Sequence, residues 1–226
     1  FGTPYGCSKG AADQYVIDYA KTYQIPTITF RQSCIYGPHQ YGLEDQGWVA
    51  WFGICASLDL DLTIYGDGTQ IRDVLYIDDL IELYEKAILN IDKISGKAFN
   101  VGGGPENTLS LNQLIELLEE KFERKLTKHY SDWRLGDQKV YISDIKKISA
   151  AIGWKPKVDV KAGIENLISW IQNNKKQIQD VHYKNSIRNK TYDLSIVIPA
   201  RNEEESLGAT LSEIDVFIRH SNLTIE

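Results

Sequence analysis

Thr3-Pro4-Tyr5-Gly6-Cys7-Ser8-Lys9 is the stretch on which the reading of this 226-residue chain turns. Thr3 suits a helix N-cap, and Pro4 suits the first helical position because its missing N–H is one the first turn cannot use. Tyr5 then lies in the opening turn, and Lys9 follows four residues later on the same face. A phenol ordinarily titrates near pH 10, too high for a base at neutral pH. A lysine ammonium about 4 Å away, at an effective dielectric of about 20, favours the phenolate by roughly 4 kcal/mol. That is enough to make such a phenol useful in proton transfer near neutrality. A Tyr and a Lys at this spacing also occur by chance in many helices, so their surroundings must decide.

Those surroundings alternate. A helix is expected over 11–23, a strand over 27–31, a helix over 48–58, a strand over 62–65 and a helix over 78–90. A strand over 98–101 ends in Gly102-Gly103-Gly104. An amphipathic helix over 111–122 carries Leu111, Leu114, Ile115 and Leu118 on one face, and a last helix covers 161–172. This order predicts an α/β fold for 1–172. The stretch 173–190 is polar, with Lys175, Lys176, Lys184, Arg188 and Lys190 against Asp180 alone, and reads as a solvated linker in preference to a frayed helix end. Leu194-Ser195-Ile196-Val197-Ile198-Pro199 then restarts a buried-strand pattern, so a second domain is expected over 191–226, cut off after one βα unit.

Composition narrows the classes of function. A net charge of −6 argues against a nucleic-acid binder, because neutralising phosphates needs a basic face. No run approaches the roughly 18 apolar residues of a membrane span. Cys7, Cys34 and Cys55 are odd in number and lack ligand spacing, which suits a reduced, cytoplasmic compartment. His39, His129, His182 and His220 are scattered without ligand spacing, so no metal site is expected. The chain contains no Met and reads as a piece of a longer product.

Tyr5-x-x-x-Lys9 at a helix start, followed by a strand leading into Tyr36-Gly37-Pro38, resembles the extended short-chain dehydrogenase/reductase family. Arg31-Gln32-Ser33-Cys34-Ile35-Tyr36-Gly37-Pro38 is similar to that family's segment beside the nicotinamide and the sugar. Gly66-Asp67-Gly68-Thr69-Gln70-Ile71-Arg72-Asp73-Val74, running to Ile77-Asp78-Asp79, resembles its GdGxxxRD stretch, Arg134-Leu135-Gly136-Asp137 its RxGD stretch, and Gly153-Trp154-Lys155-Pro156 its GWxP turn. The resemblance implies a Rossmann-like fold, bound NAD, and Tyr5 and Lys9 as the catalytic pair that also contacts the cofactor. It further implies Gln32 and Ser33 on the cofactor and Cys34 on the substrate. Arg72 and Arg134 would hold the substrate diphosphate, and Asp137 the nucleotide ribose. Two arginines suit a diphosphate because each planar fork donates two parallel hydrogen bonds.

Asp45-Gln46-Gly47-Trp48-Val49-Ala50-Trp51-Phe52, Tyr5 to Tyr15 and Ser143-Asp144-Ile145-Lys146-Lys147-Ile148 resemble the CDP-paratose 2-epimerase (CDP-tyvelose epimerase) subgroup most. Gln46 is the expected sugar contact there, and Trp51 and Phe52 read equally well as core aromatics. This likeness implies NAD-dependent epimerisation of a CDP-sugar at C2, with assembly as a homodimer or homotetramer. Other reactions of the family (4-epimerase, 4,6-dehydratase or decarboxylase) stay open, as does a silent nucleotide-sugar-binding module. The family's glycine-rich phosphate loop is absent, so the chain alone is expected to be inactive. Leu194 to Glu204 resembles the opening of family 2 glycosyltransferases, which implies a truncated glycosyltransferase A-type βα unit and a parent fused to a transferase.

Overall fold

Thr3 caps the first helix: its Oγ1 accepts from Gly6 N at 3.0 Å, and Pro4 opens α1 (Pro4–Tyr23). The structure, a computed structural model, describes residues 2–188. Helix α1 ends where Gln24 turns left-handed at φ 55°, and it has no fully buried residue.

The strand expected over 27–31 forms, and after Ser33 a second short strand follows that was not expected. β1 (Ile28–Gln32) pairs in parallel with β5 (Lys97–Val101), whereas β2 (Cys34–Tyr36) pairs in parallel with β4 (Ile71–Tyr76), Cys34 opposite Val74. Ser33 is therefore the point where the chain passes from one sheet to another. The other half of β4 runs antiparallel to β6 (Thr108–Ser110) and parallel to β8 (Val140–Tyr141). A third, two-stranded sheet joins β3 (Leu62–Tyr65) in parallel with β7 (Lys128–Ser131). Strand β4 is the hub, and it escaped the hydrophobic pattern because Arg72 and Asp73 interrupt its apolar run.

Helices cover these sheets as the periodicity expects. α2 (Trp48–Leu58) is apolar almost throughout and buries seven residues. α5 (Leu111–Phe122) starts in a capping box in which Ser110 Oγ accepts from Gln113 N and Gln113 Oε1 accepts from Ser110 N. Its Leu114, Ile115 and Leu118 are buried, in a core shared with α2 and α7 (Val160–Asn173). Gly53 lets α2 and α7 approach closely, since a Cβ there would lie 3.0 Å from Ile168 Cδ1 and 3.1 Å from Ile171 Cδ1. A second core gathers Leu75, Leu83, Phe99, Ile148 and Trp154, where α3 (Ile77–Leu89) and α6 (Lys146–Ile152) meet β5; the short α4 (Ile91–Ile94) adds Ile94.

Two sequence motifs meet in this second core. Trp154 is fully buried and donates Nε1 to Asp79 O at 3.0 Å, while the Asp79 carboxylate accepts from Lys157 N and Val158 N. The GWxP turn is thus stapled to the end of the GdGxxxRD stretch. A buried carboxylate satisfied by backbone N–H groups costs little to keep and much to break.

The α/β reading holds, with one correction of secondary structure. The stretch 173–190, expected as a linker, completes α7 at Asn173 and then forms α8 (Lys175–Arg188). Ile178 is fully buried in the larger core, and one compact unit ends at Gln179. Lys175, Lys176, Gln177, Gln179 and Asp180 are exposed there, and Ile178 anchors the start of the helix. The strand and helix expected over 191–226 lie outside the described residues.

Candidate active site

A cleft of about 320 Å³ opens where the ends of β2, β3 and β4 meet the loop before α2 and the loop after β7. Cys34, Gln46, Arg72, Arg134 and Asp137 all line it. Five residues spread over about a hundred positions thus come together.

Each arginine is held by an acid of the same chain. Arg72 Nη2 lies 2.7 Å from Asp137 Oδ1, and Arg72 Nη1 donates to Ile71 O at 2.8 Å. Arg134 lies over the Tyr65 ring, its Cζ 4.0 Å from the centroid, donates Nη2 to Glu44 O at 2.9 Å and lies 3.1 Å from Asp45 Oδ1. Tyr65 in turn donates its hydroxyl to Glu44 at 2.8 Å. The forks are oriented before any ligand arrives, which lowers the ordering cost of binding an anion. Asp45 is 90% exposed and screened, so its hold on Arg134 is weak.

Gln46 sits in a tight turn closed by Leu43 N to Gln46 O at 2.8 Å and Gln46 N to Leu43 O at 3.0 Å, which leaves its side chain exposed at the rim. Cys34 accepts from Trp48 Nε1 at 3.4 Å. Burial pushes its thiol up, against the smaller opposing pull of that hydrogen bond. The neutral thiol is a small apolar contact rather than a nucleophile.

Tyr5, Lys9, Gln32 and Ser33 do not line this cleft. Tyr5 is 67% exposed at the start of α1, and Lys9 Nζ lies 5.4 Å from its ring centroid, over the ring. In such an open setting the attraction between ammonium and phenolate is about a quarter of its value at a dielectric of 20. Among the described residues nothing encloses the pair, so the low-dielectric setting assumed for it is not met there. Gln32 is exposed at the carboxyl end of β1 and donates Nε2 to Tyr84 Oη at 2.5 Å. The Ser33 hydroxyl is committed to Asp73, 2.7 Å from its carbonyl and 2.5 Å from Oδ1. Ser33 therefore pins the crossing between sheets, and its side chain has no donor free for a cofactor.

The two groups are nevertheless neighbours. A Cβ on Gly136, in the loop that carries Arg134 and Asp137, would lie 3.1 Å from Thr3 Cγ2. The N-cap of α1 thus abuts the wall of the cleft.

Sequence reasoning missed Glu44, Thr63, Tyr65, Gln70 and Leu111 as cleft residues. The signal for two of them was present: Thr63 and Tyr65 share one face of β3 by alternation. Trp48 and Phe52 line the cleft, while Phe52 is also buried in the core and Trp51 packs half-buried against it.

Gln32 stands at the carboxyl end of β1, where ligands of parallel α/β sheets lie, and suits a nicotinamide cofactor; the Ser33 hydroxyl in this structure meets Asp73. Comparison with known proteins agrees with the geometry. Residues 2–102 match the family described as NAD dependent epimerase/dehydratase. CDP-paratose 2-epimerase of Salmonella typhi is 46% identical over 175 residues, which cover 75% of this chain and 52% of that protein. UDP-glucose 4-epimerase of Thermotoga maritima, solved with UDP-glucose, is 30% identical with a TM-score of 0.69, covering 76% of this chain and 54% of that one. UDP-glucuronic acid 4-epimerase of Bacillus cereus, solved with UDP-glucuronic acid and NAD, is 30% identical with a TM-score of 0.68, covering 76% and 53%. The chain spans about half the length of these relatives. Residues 2–102 of this Rossmann-like α/β chain are thus similar to the NAD dependent epimerase/dehydratase family.

Proposed function

We propose that this chain holds the substrate and supplies the acid/base of an NAD-dependent epimerase that inverts C2 of a CDP-sugar, converting CDP-paratose to CDP-tyvelose or a close analogue. One observation carries the reading: Arg72, Arg134 and Asp137 converge on a single cleft beside the start of α1. The likeness to the Salmonella epimerase supports the choice of C2 and of cytosine.

In this mechanism Arg72 and Arg134 bind the diphosphate and Asp137 turns from Arg72 to the ribose. Cys34 and Gln46 lie along the sugar. Tyr5 takes the proton from the C2 hydroxyl as the carbon is oxidised and returns it when the carbonyl is reduced. Lys9 favours the phenolate and holds the cofactor's ribose. NAD, which Lys9 and Gln32 would hold, would supply reversible hydride transfer at C2 and so would not be consumed. Tyr5 and Lys9 need a wall over them for this chemistry, because water weakens their interaction.

The exposure of Tyr5 favours one other reading, a silent nucleotide-sugar-binding module that serves a transferase. We further infer that residues 191–226 begin such a family 2 glycosyltransferase domain, on the resemblance of Leu194 to Glu204 alone, and that the protein works in the cytoplasm as a homodimer or homotetramer. Among the described residues no helix is long and apolar enough to cross a membrane.

The test is product analysis by NMR, with CDP-paratose and NAD⁺ given to the protein together with the glycine-rich half of the family fold. Inversion at C2 supports the proposal. Inversion at C4, or loss of water or carbon dioxide from other sugars, selects a sister reaction. Tight binding without turnover selects the module.

A further inference from the structure

Gln70 is 6% exposed and lies in the wall of the cleft. Its amide cannot rotate freely: Nε2 donates to Tyr65 O at 2.8 Å, and the flipped amide would set two acceptors against each other. Oε1 is then buried with no hydrogen-bond partner. Among the described residues it is the one such atom that belongs to a residue lining the cleft. A buried acceptor left unpaired by the protein is costly and uncommon, and a ligand donor or a water would satisfy it.

Strand register says which part of a ligand meets it. Val74 of β4 pairs with Cys34 at the crossing from β1, so that end of β4 faces the carboxyl end of β1 and the chemistry near α1. Arg72 lies two residues back, and Gln70 two further, joined to Tyr65 at the end of β3. At about 3.3 Å per residue, Gln70 is about 7 Å beyond Arg72 and on the same face. A nucleotide sugar with its sugar toward Cys34 and its diphosphate on Arg72 therefore brings its base to Gln70 and Tyr65.

We infer that Gln70 is a specificity residue whose Oε1 accepts an N–H from the edge of the pyrimidine base. The inference rests on the nucleotide-sugar reading above. The donor is the exocyclic amine of cytosine or the ring N–H of uracil or thymine. A base that turns only acceptors toward Gln70 leaves the buried oxygen unpaired and binds worse.

Calorimetry on the unmutated chain tests this with CDP, UDP, the 2-pyrimidinone nucleotide (cytosine without its amine), N3-methyl-UDP, 2′-deoxy-CDP and inorganic pyrophosphate. Loss of the donor from the preferred nucleotide should weaken binding about tenfold or more, and whichever base shows that loss is the one read. In Gln70→Leu the preferred nucleotide and its donor-less analogue should bind equally weakly, with pyrophosphate affinity unchanged. If the donor-less analogues bind the unmutated chain as tightly as their parents, the inference is overturned even where Gln70→Leu fails to fold. Weakening by 2′-deoxy-CDP alone overturns it in favour of a ribose hydroxyl. If neither pyrophosphate nor any nucleotide binds, the nucleotide-sugar reading itself has failed.

Discussion

On the proposed reading the cleft and the opening of α1 carry two halves of one site, and they are prepared in opposite ways. In the cleft, Arg72 and Arg134 are already aimed by Asp137, Tyr65, Glu44 and Asp45, all within the described residues. On α1, Tyr5 and Lys9 have the right spacing but stand in solvent, on a helix with no buried residue. Binding groups can be prepared by ion pairs within the half of the fold seen here. The proton-transfer pair can be spaced by one helix, but its low-dielectric setting has to come from other surfaces.

The sharpest way to break this contrast is Tyr5→Phe. Where the complete fold turns over its sugar, this change should lower kcat by roughly 10²-fold or more, the usual scale for acid/base catalysis. CDP binding to the cleft should stay as it was, because Tyr5 does not line it. Near-normal turnover would remove Tyr5 from the chemistry. A large loss of CDP affinity would mean that the two regions are one unit.

Arg72→Ala and Arg134→Ala are the converse. Each should weaken CDP binding by roughly 2 kcal/mol, about thirtyfold, since diphosphate charge is left unpaired. Lysine replacements should recover only part of this because they lose the planar fork. Arg134→Lys should also lose its stacking on Tyr65. Unchanged affinity by calorimetry in both alanine variants would take the diphosphate out of this cleft.

The two regions also differed in how far they could be read beforehand. Helix α5 shows its buried face, Leu114, Ile115 and Leu118, in its own period, and the start of α1 shows its cap in Thr3 and Pro4. Those signals are local, so the sequence carries them. Strand β4 was invisible because Arg72 and Asp73 interrupt it, although it borders three other strands. Helix α8 was taken for a linker because one buried residue, Ile178, outweighs a polar composition. Arg72, Arg134 and Asp137, which line the cleft, stand in motifs the sequence displays. Tyr65 and Gln70 were not legible, because their roles arise from what faces them: Arg134 on a ring, and an amide locked to a carbonyl. The hydrogen bond of Ser33 to Asp73, 40 residues away, was likewise not legible.

The smallest expected effect uses the cysteines, one in each region and one in the core. Cys7 is exposed on α1, Cys34 is half-buried in the cleft and Cys55 is buried in α2. Thiol reactivity follows the thiolate and its access. Burial pushes Cys34 up despite the Trp48 hydrogen bond, and pushes Cys55 up to about 12. Alkylation at pH 8, followed by mass spectrometry, should therefore label Cys7 first and Cys34 about tenfold more slowly, with Cys55 unlabelled while the fold persists. CDP should slow Cys34 a further several-fold, because a nucleotide in the cleft covers the path to its sulfur, and should leave Cys7 alone. Protection of Cys34 without Cys7 would keep the cleft and the α1 face as separate surfaces. Protection of Cys7 as well would show that nucleotide binding draws the start of α1 over the ligand, through the contact of Thr3 with the Gly136 loop.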